Sequence, residues 1–258
     1  MRCALVLFAI LGSAAAQNRG GAAPQQTARA AAPIDLTGYW VSQIVDEWRF
    51  RVTPQKGDIL YLPLNSEARR IANAWDPAKD EAEGQACRAY GAVGVMQRPG
   101  RIHIEWQNDT TLRLDADAGT QTRMLHFGAA PVDPGKPTWQ GYSAAQWRFS
   151  GRAMLDLGGI GFVAGGGPDA SSGRSGTLKV VTTNMLPGYL RKNGVPYSAN
   201  AVLTEYFNRL TGAENDVYLL VTAVLDDPTY LTQPFVRTYT FKKQADASGW
   251  DPTPCWPR

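Results

Sequence analysis

From residue 101 onward the chain alternates apolar and polar positions with a period of two. In "RIHIEWQ", Ile102, Ile104 and Trp106 share one face, and Arg101, His103 and Glu105 share the other. In "TTLRLDAD", Leu112 and Leu114 oppose Arg113 and Asp115. In "TQTRMLHF", Arg123, Leu125 and Phe127 oppose Thr122, Met124 and His126. The segments "AQWRFS", "TLKVVTTNM", "AVLTEYFNRL", "DVYLLVTAVLDD" and "VRTYTFKK" continue the pattern, with Asn-Asp, Ala-Gly and Pro/Gly-rich breaks between segments. A list of about nine or ten short strands with closely spaced turns predicts an antiparallel barrel or sandwich, not a βαβ fold.

The first ordered stretch reads "DLTGYWVSQIVDEWRFRV". Trp40, Ser42 and Ile44 share one face, and Trp48, Phe50 and Val52 share another, so strand is expected through both. One region is helical. In "PLNSEARRIANAWDPAKDEAEGQACRAYG", Asn65 or Ser66 supplies a cap, Ala68, Ile71, Ala72 and Trp75 recur at helical spacing, and Asp76-Pro77 stops the helix. A second short helix is expected from Lys79 to Glu83. Residues 151–176 are too glycine-rich for a core strand and read as an insertion or lid, or as a plain loop between strands.

Alternation leaves open which face looks inward. In a sandwich the apolar sides form the core, whereas in a wide barrel the polar sides can line the lumen. Arg123 stands on an otherwise apolar face. Buried there it needs a carboxylate, for which Glu105, Asp115 and Glu205 are the candidates; the alternative is a solvated face with an ordinary ion pair.

The N-terminus changes the picture. "MRCALVLFAILGSAAAQN" has a basic Arg2, a short apolar run and small residues at Ala14 and Ala16, which predicts a signal peptide over 1–16 and a periplasmic or secreted protein. Residues 17–33, rich in Ala, Gly and Gln, read as a flexible leader, and 34–258 as one domain. No later segment offers the roughly 20 apolar residues of a spanning helix. Arg2 is one of the 26 basic residues, so 25 would remain against 23 acidic ones, well mixed, and no nucleic-acid footprint is present. Cys3 falls in the signal segment. Cys87 and Cys255 are then expected to form a disulfide, the alternative being two thiols. With His103 and His126 the only histidines, no zinc spacing exists, and neither metal nor cofactor is expected.

Candidate chemistry is thin. Eight tryptophans are many for 258 residues, and Trp40, Trp48, Trp106, Trp139 and Trp147 sit where strands can point them inward, as do Tyr206, Tyr218 and Tyr239. Aromatic rings with a few polar anchors hold flat or apolar ligands, and they are also ordinary core residues. The ligand-binding candidates are Trp40, Trp48, Trp106, Trp147, Arg123, Tyr206 and Arg237. If the protein is an enzyme, His103 or His126 would act as base, with Glu205 and Tyr206 assisting; otherwise these are polar wall residues. The connection "PGYLRKNGVPYS", with Tyr189, Arg191, Lys192 and Tyr197, suits a barrel rim that touches an entering ligand, or an exposed turn. No nucleophile elbow and no phosphate loop occur.

Two features carry a resemblance. "TGYW" resembles the Gly-x-Trp start of lipocalins and their calycin relatives, in which the tryptophan closes the barrel floor. "LTEYFNRLTGAENDVYLLVTAVLDDPTYLTQPFV" is similar to a block of uncharacterised exported bacterial proteins, matched here by Thr204, Glu205, Tyr206, Phe207, Asp226, Asp227, Pro228, Tyr230 and Pro234. The likeness implies a calycin-like barrel and an extracytoplasmic home. With the strands and helices read above, the expected fold is a mostly β, calycin/lipocalin-like antiparallel barrel with one or two short helices inserted near its N-terminal part. The helix near 65–75 departs from the simplest lipocalin plan. The function expected is a monomeric barrel binding a small apolar or aromatic molecule in its lumen. The alternatives are a cofactor-independent isomerase, cyclase or lyase on the same barrel, and an envelope assembly partner with an exposed apolar patch.

Overall fold

The computed structural model describes residues 26–46, 48–52, 54–131, 133–150, 154–157, 160–163 and 175–257. The expected signal segment, the start of the expected leader and most of 151–176 lie outside the described residues. Thirteen strands follow in order: β1 (Gly38–Gln43), β2 (Arg101–Asn108), β3 (Thr111–Ala116), β4 (Gln121–Phe127), β5 (Tyr142–Ser150), β6 (Met154–Leu157), β7 (Ile160–Val163), β8 (Ser175–Thr183), β9 (Gly188–Arg191), β10 (Val195–Tyr197), β11 (Val202–Thr211), β12 (Val217–Asp226) and β13 (Phe235–Lys243). Nine of them close a barrel in the order β1-β13-β12-β11-β8-β5-β4-β3-β2; β6–β7 and β9–β10 are separate hairpins. Closure pairs each of these nine strands on both sides.

The apolar faces turn inward. Ile102, Ile104, Leu112, Leu114 and Leu125 are buried in one core that continues through Leu178, Val180, Phe207, Leu219, Val221 and Phe241. His103, Arg113, Asp115 and His126 occupy the outer wall with partial exposure. The lumen therefore sorts as a packed core does, without the inversion a wide barrel permits. One seam departs from the antiparallel expectation: β4 and β5 run parallel, with Leu125 opposite Ser143 and Phe127 opposite Ala145. The chain leaving β4 at Phe127 must double back before β5 begins beside the middle of β4, and it does so between residues 128 and 141. At its far end the Trp139 carbonyl accepts from the amide of Ala92 at 2.9 Å.

Among the described residues four helices lie between β1 and β2, where one or two were expected: α1 (Trp48–Val52), α2 (Ser66–Ala74), α3 (Pro77–Ala82) and α4 (Ala92–Val95), with a 3-10 turn at Ala86–Tyr90. The Asn65 side chain caps α2 by accepting from the amide of Ala68 at 2.9 Å, and Asp76 caps α3 the same way from Ala78 at 3.0 Å. These elements and the β9–β10 hairpin cover one end of the barrel. The stretch "WRFRV" is a correction: it was expected as a strand and is the helical turn α1. A strand would send Phe50 and Arg51 to opposite faces. The turn buries both, so that Arg51 Nε donates to the Gln97 carbonyl at 3.2 Å and Nη1 to that of Gln43 at 3.4 Å.

The opposite end is crossed by residues 26–37. Leader residues 26–33 were expected to be flexible, but here they form a turn strapped to the mouth, with the Trp147 indole donating to the Ala28 carbonyl at 2.8 Å and the Arg29 amide to Asp109 at 3.1 Å. The strap continues into "TGYW". Trp40 is fully buried and donates to the Leu36 carbonyl at 3.0 Å, and Lys243 lies 4.5 Å over its ring. Gly38 has φ +102°, a backbone conformation that favours glycine. Cys87 and Cys255 form the expected disulfide, joining the 3-10 turn under the cap to the C-terminal tail.

Candidate functional site

The lumen changes character along its axis. At the strapped mouth, Trp106, Phe127 and Trp147 form a row of tilted rings with centroids 5.6 and 5.4 Å apart. Trp106 and Phe127 remain half-buried, and Trp106 borders an open groove of about 450 Å³ beneath the strap, lined also by Ala32, Pro33 and Ile34. Arg29, Asp35 and Thr37 add polar groups to its edge. The mouth is thus an aromatic shelf with a polar rim on the strap side. The waist below it is filled by Trp40, Leu178, Phe207, Leu219 and Phe241, none more than 1% exposed.

Past the waist the lumen turns polar. Arg123 and Glu205 form a two-pronged ion pair, Nη1–Oε1 at 3.1 Å and Nη2–Oε2 at 2.6 Å, and both side chains are 1% exposed. The pair reaches across the two strands between β4 and β11. Those strands contribute Thr182 Oγ1, 3.2 Å from Arg123 Nη2, and Ser143 Oγ, which shares a 2.8 Å hydrogen bond with Thr182. Glu205 is therefore the carboxylate that Arg123 needs. Glu105 and Asp115, the other two candidates, stand on the outer wall and pair with Arg113.

Under the cap a second set of cations collects. Arg51, Arg98 and Arg191 are all at least nine-tenths buried, with Lys192 half-buried beside them. The Arg191 guanidinium lies 4.3 Å over the Phe50 ring and that of Arg51 5.5 Å over Tyr239. Burial, with help from Arg51 and Arg191, pulls the Arg98 guanidinium down to about 10, against the raising influence of Tyr90 and Tyr239. Burial and the Arg98 charge bring the Lys192 ammonium down to about 8. The Tyr239 hydroxyl is pushed well up by burial. Nothing in the chain pattern singled out Arg51, Arg98 or the burial of Arg191. "PGYLRKNGVPYS" was read as a rim connection or exposed turn, whereas residues 188–191 and 193–198 are buried, apart from Lys192 between them.

The sequence-derived site residues fall into separate places. Trp40, Trp106, Trp147, Arg123, Glu205 and Arg237 point into the barrel. Trp48 does not: it sits on α1 at 66% exposure, because the helical turn that buries Phe50 and Arg51 leaves it outside. Tyr206 alternates with Glu205 and Phe207 and so takes the outer wall. His103 is stacked on Tyr39 at 4.1 Å and His126 on Tyr142 at 5.1 Å, both outside. Burial lowers the pKa of His126. The wall thus separates Glu205 from His103, His126 and Tyr206, and the four do not form one constellation. His103, Glu105 and Asp115 do bring one donor atom each within 4.8 Å. Arg113 already bonds both carboxylates, at 3.6 and 2.9 Å, and a cation would have to displace it.

No helix among the described residues is long and apolar enough to cross a membrane. Comparison with family models, with curated proteins and with solved structures finds no match for this chain.

Proposed function

We propose that this chain is an exported, lipocalin-like binding barrel that takes a small apolar or aromatic molecule at its strapped mouth and performs no chemistry on it. The observation that carries the reading is the Trp106–Phe127–Trp147 row: three rings that line the lumen yet leave two faces half-buried, beside a groove large enough for a compact flat ligand. The packed waist then serves as the floor of the site, so the ligand lies against the mouth and does not descend to the centre. The strap of residues 26–37 is held to the barrel by few bonds, that from Trp147 to Ala28 among them, and closes over the ligand. The separation of Glu205 from the outer-wall histidines favours binding over the isomerase or lyase alternative.

The test is a titration with N-phenyl-1-naphthylamine, an uncharged aromatic probe. Saturable quenching of indole emission is expected, weakened about tenfold by Trp106→Ala, a loss of about 1.4 kcal/mol. His103→Ala and His126→Ala are expected to leave the affinity unchanged. An emission spectrum that ignores the probe, or a Trp106→Ala protein that binds it as well as the parent, refutes the reading.

A further inference from the structure

We propose that the capped end of the barrel contains an oxyanion site centred on Arg98, which takes the carboxylate or phosphate group of a small molecule. The site is separate from the aromatic mouth and does not depend on what binds there.

Arg98 ends the apolar run of α4 and is carried into the cap by it. Its Nε makes a long 3.4 Å bond to the Gly94 carbonyl, whereas Nη1 and Nη2 are both buried and have no hydrogen-bond partner. The side chain is 5% exposed. A guanidinium with two open donors, shut away from water, is among the costliest groups a fold can carry. Arg123 shows how this chain meets that cost elsewhere, by a two-pronged carboxylate at 2.6 and 3.1 Å. Arg98 has no such carboxylate among the described residues. Among the described residues its charged and titratable surroundings are Arg51, Arg191, Lys192, Tyr90 and Tyr239. Two parallel N–H donors in a rigid fork fit the paired oxygens of a carboxylate or phosphate. The Lys192 ammonium beside that fork favours an anion over a cation.

The position is built, not accidental. Gly94 lets α4 lie directly against the preceding turn: a Cβ there would stand 2.2 Å from the Ala89 carbonyl oxygen and 3.2 Å from that of Tyr189. The neighbouring Gln97 side chain donates to the carbonyls of Leu190 and Val93 at 2.6 and 3.2 Å, fixing α4 to β9. That bond brings Arg191 and Lys192 alongside Arg98. Lys192 is the half-exposed member of the group.

The experiment follows melting of the full chain against inorganic phosphate and, separately, succinate, each with sodium chloride at matched ionic strength. A saturable rise in Tm with phosphate, succinate or both, beyond that of chloride, is expected, and which of the two acts identifies the source of the oxyanion. Arg98→Met should abolish the rise, and without anion should itself melt no lower than the parent, because an unsatisfied buried charge has been replaced by an apolar side chain. Lys192→Met, at a half-exposed position, should keep the fold and weaken the anion response about tenfold. If neither anion exceeds chloride, the proposal is wrong. It is equally overturned if Arg98→Met folds and responds as the parent does; should that variant not fold, an unchanged anion affinity in Lys192→Met overturns it. The uncharged probe at the mouth reads independently, so failure at one end leaves the other standing.

Discussion

Glu205→Ala is expected to destabilise the fold by about 3–5 kcal/mol, because it strands the Arg123 guanidinium in the lumen. Both partners are 1% exposed, so water cannot replace the lost carboxylate without opening the barrel. Ser143 and Thr182 offer neutral oxygens only, and they already bond each other at 2.8 Å. The double variant Arg123→Met, Glu205→Leu should recover most of the loss and lie within about 1–2 kcal/mol of the parent, since an apolar pair of similar volume carries no desolvation penalty. Urea unfolding of parent, single and double variants checks this, read as midpoint shifts at unchanged slope. A double variant as unstable as the single would mean that the pair does something packing cannot, and would sink the account. The hydroxyl pair, self-satisfied in either case, is why recovery is expected.

That ion pair also shows how far the sequence reaches. An arginine on the Leu125 face left two readings, a solvated ion pair or a buried cation, and residue type alone narrows the carboxylate of the second to three candidates. Choosing Glu205 among them required the order of strands around the barrel, in which β8 and β5 lie between β11 and β4. Alternation is a local property, whereas strand order is not. The same limit explains the parallel β4–β5 seam, because residues 128–141 carry no period that would reveal a return path. The cap was less legible still. In "WRFRV" the apolar residues fit a strand equally well, whereas the helical turn buries Phe50 and Arg51 together, with the Gln97 and Gln43 carbonyls among the acceptors of Arg51. Arg98 and Arg191 sit at the ends of the short apolar segments "GAVGVMQ" and "GYL", which is a signal of sorts. Surface arginines end such segments just as often, so burial could not be read from it. The aromatic mouth fared better: Trp106, Phe127 and Trp147 lie on faces the two-residue period assigns correctly, though their meeting again depends on the seam.

Loss of the Cys87–Cys255 bridge should cost about 5 kcal/mol by the loop-entropy argument, because the bond closes a sequence separation of 168 residues and the cost grows with the logarithm of that length. For a chain of this size that is a fall in Tm of roughly 10–20 °C, measured with and without dithiothreitol and in the Cys87→Ser, Cys255→Ser double variant. The loss should be uneven. The bridge joins the Ala86–Tyr90 turn to a tail that otherwise holds the barrel by single bonds, from the Thr253 amide to the Asp117 carbonyl at 2.9 Å and from the Thr120 hydroxyl to the Thr253 carbonyl at 2.9 Å. Tyr90 adds one contact on each side of the Trp256 backbone, at 3.2 and 3.3 Å. Cutting the bridge frees the turn that leads into α4, while the long antiparallel run β11–β12–β13 keeps its ladder. Amide exchange over residues 86–98 should therefore quicken before that of β12 does. Uniform acceleration, or an unchanged Tm on reduction, would show that the cap is held by its packing against the barrel and that the bridge is redundant. A cap loosened by reduction is also a cap less able to keep Arg98 from water, so reduction and anion binding at that end should oppose each other in the same melting curve.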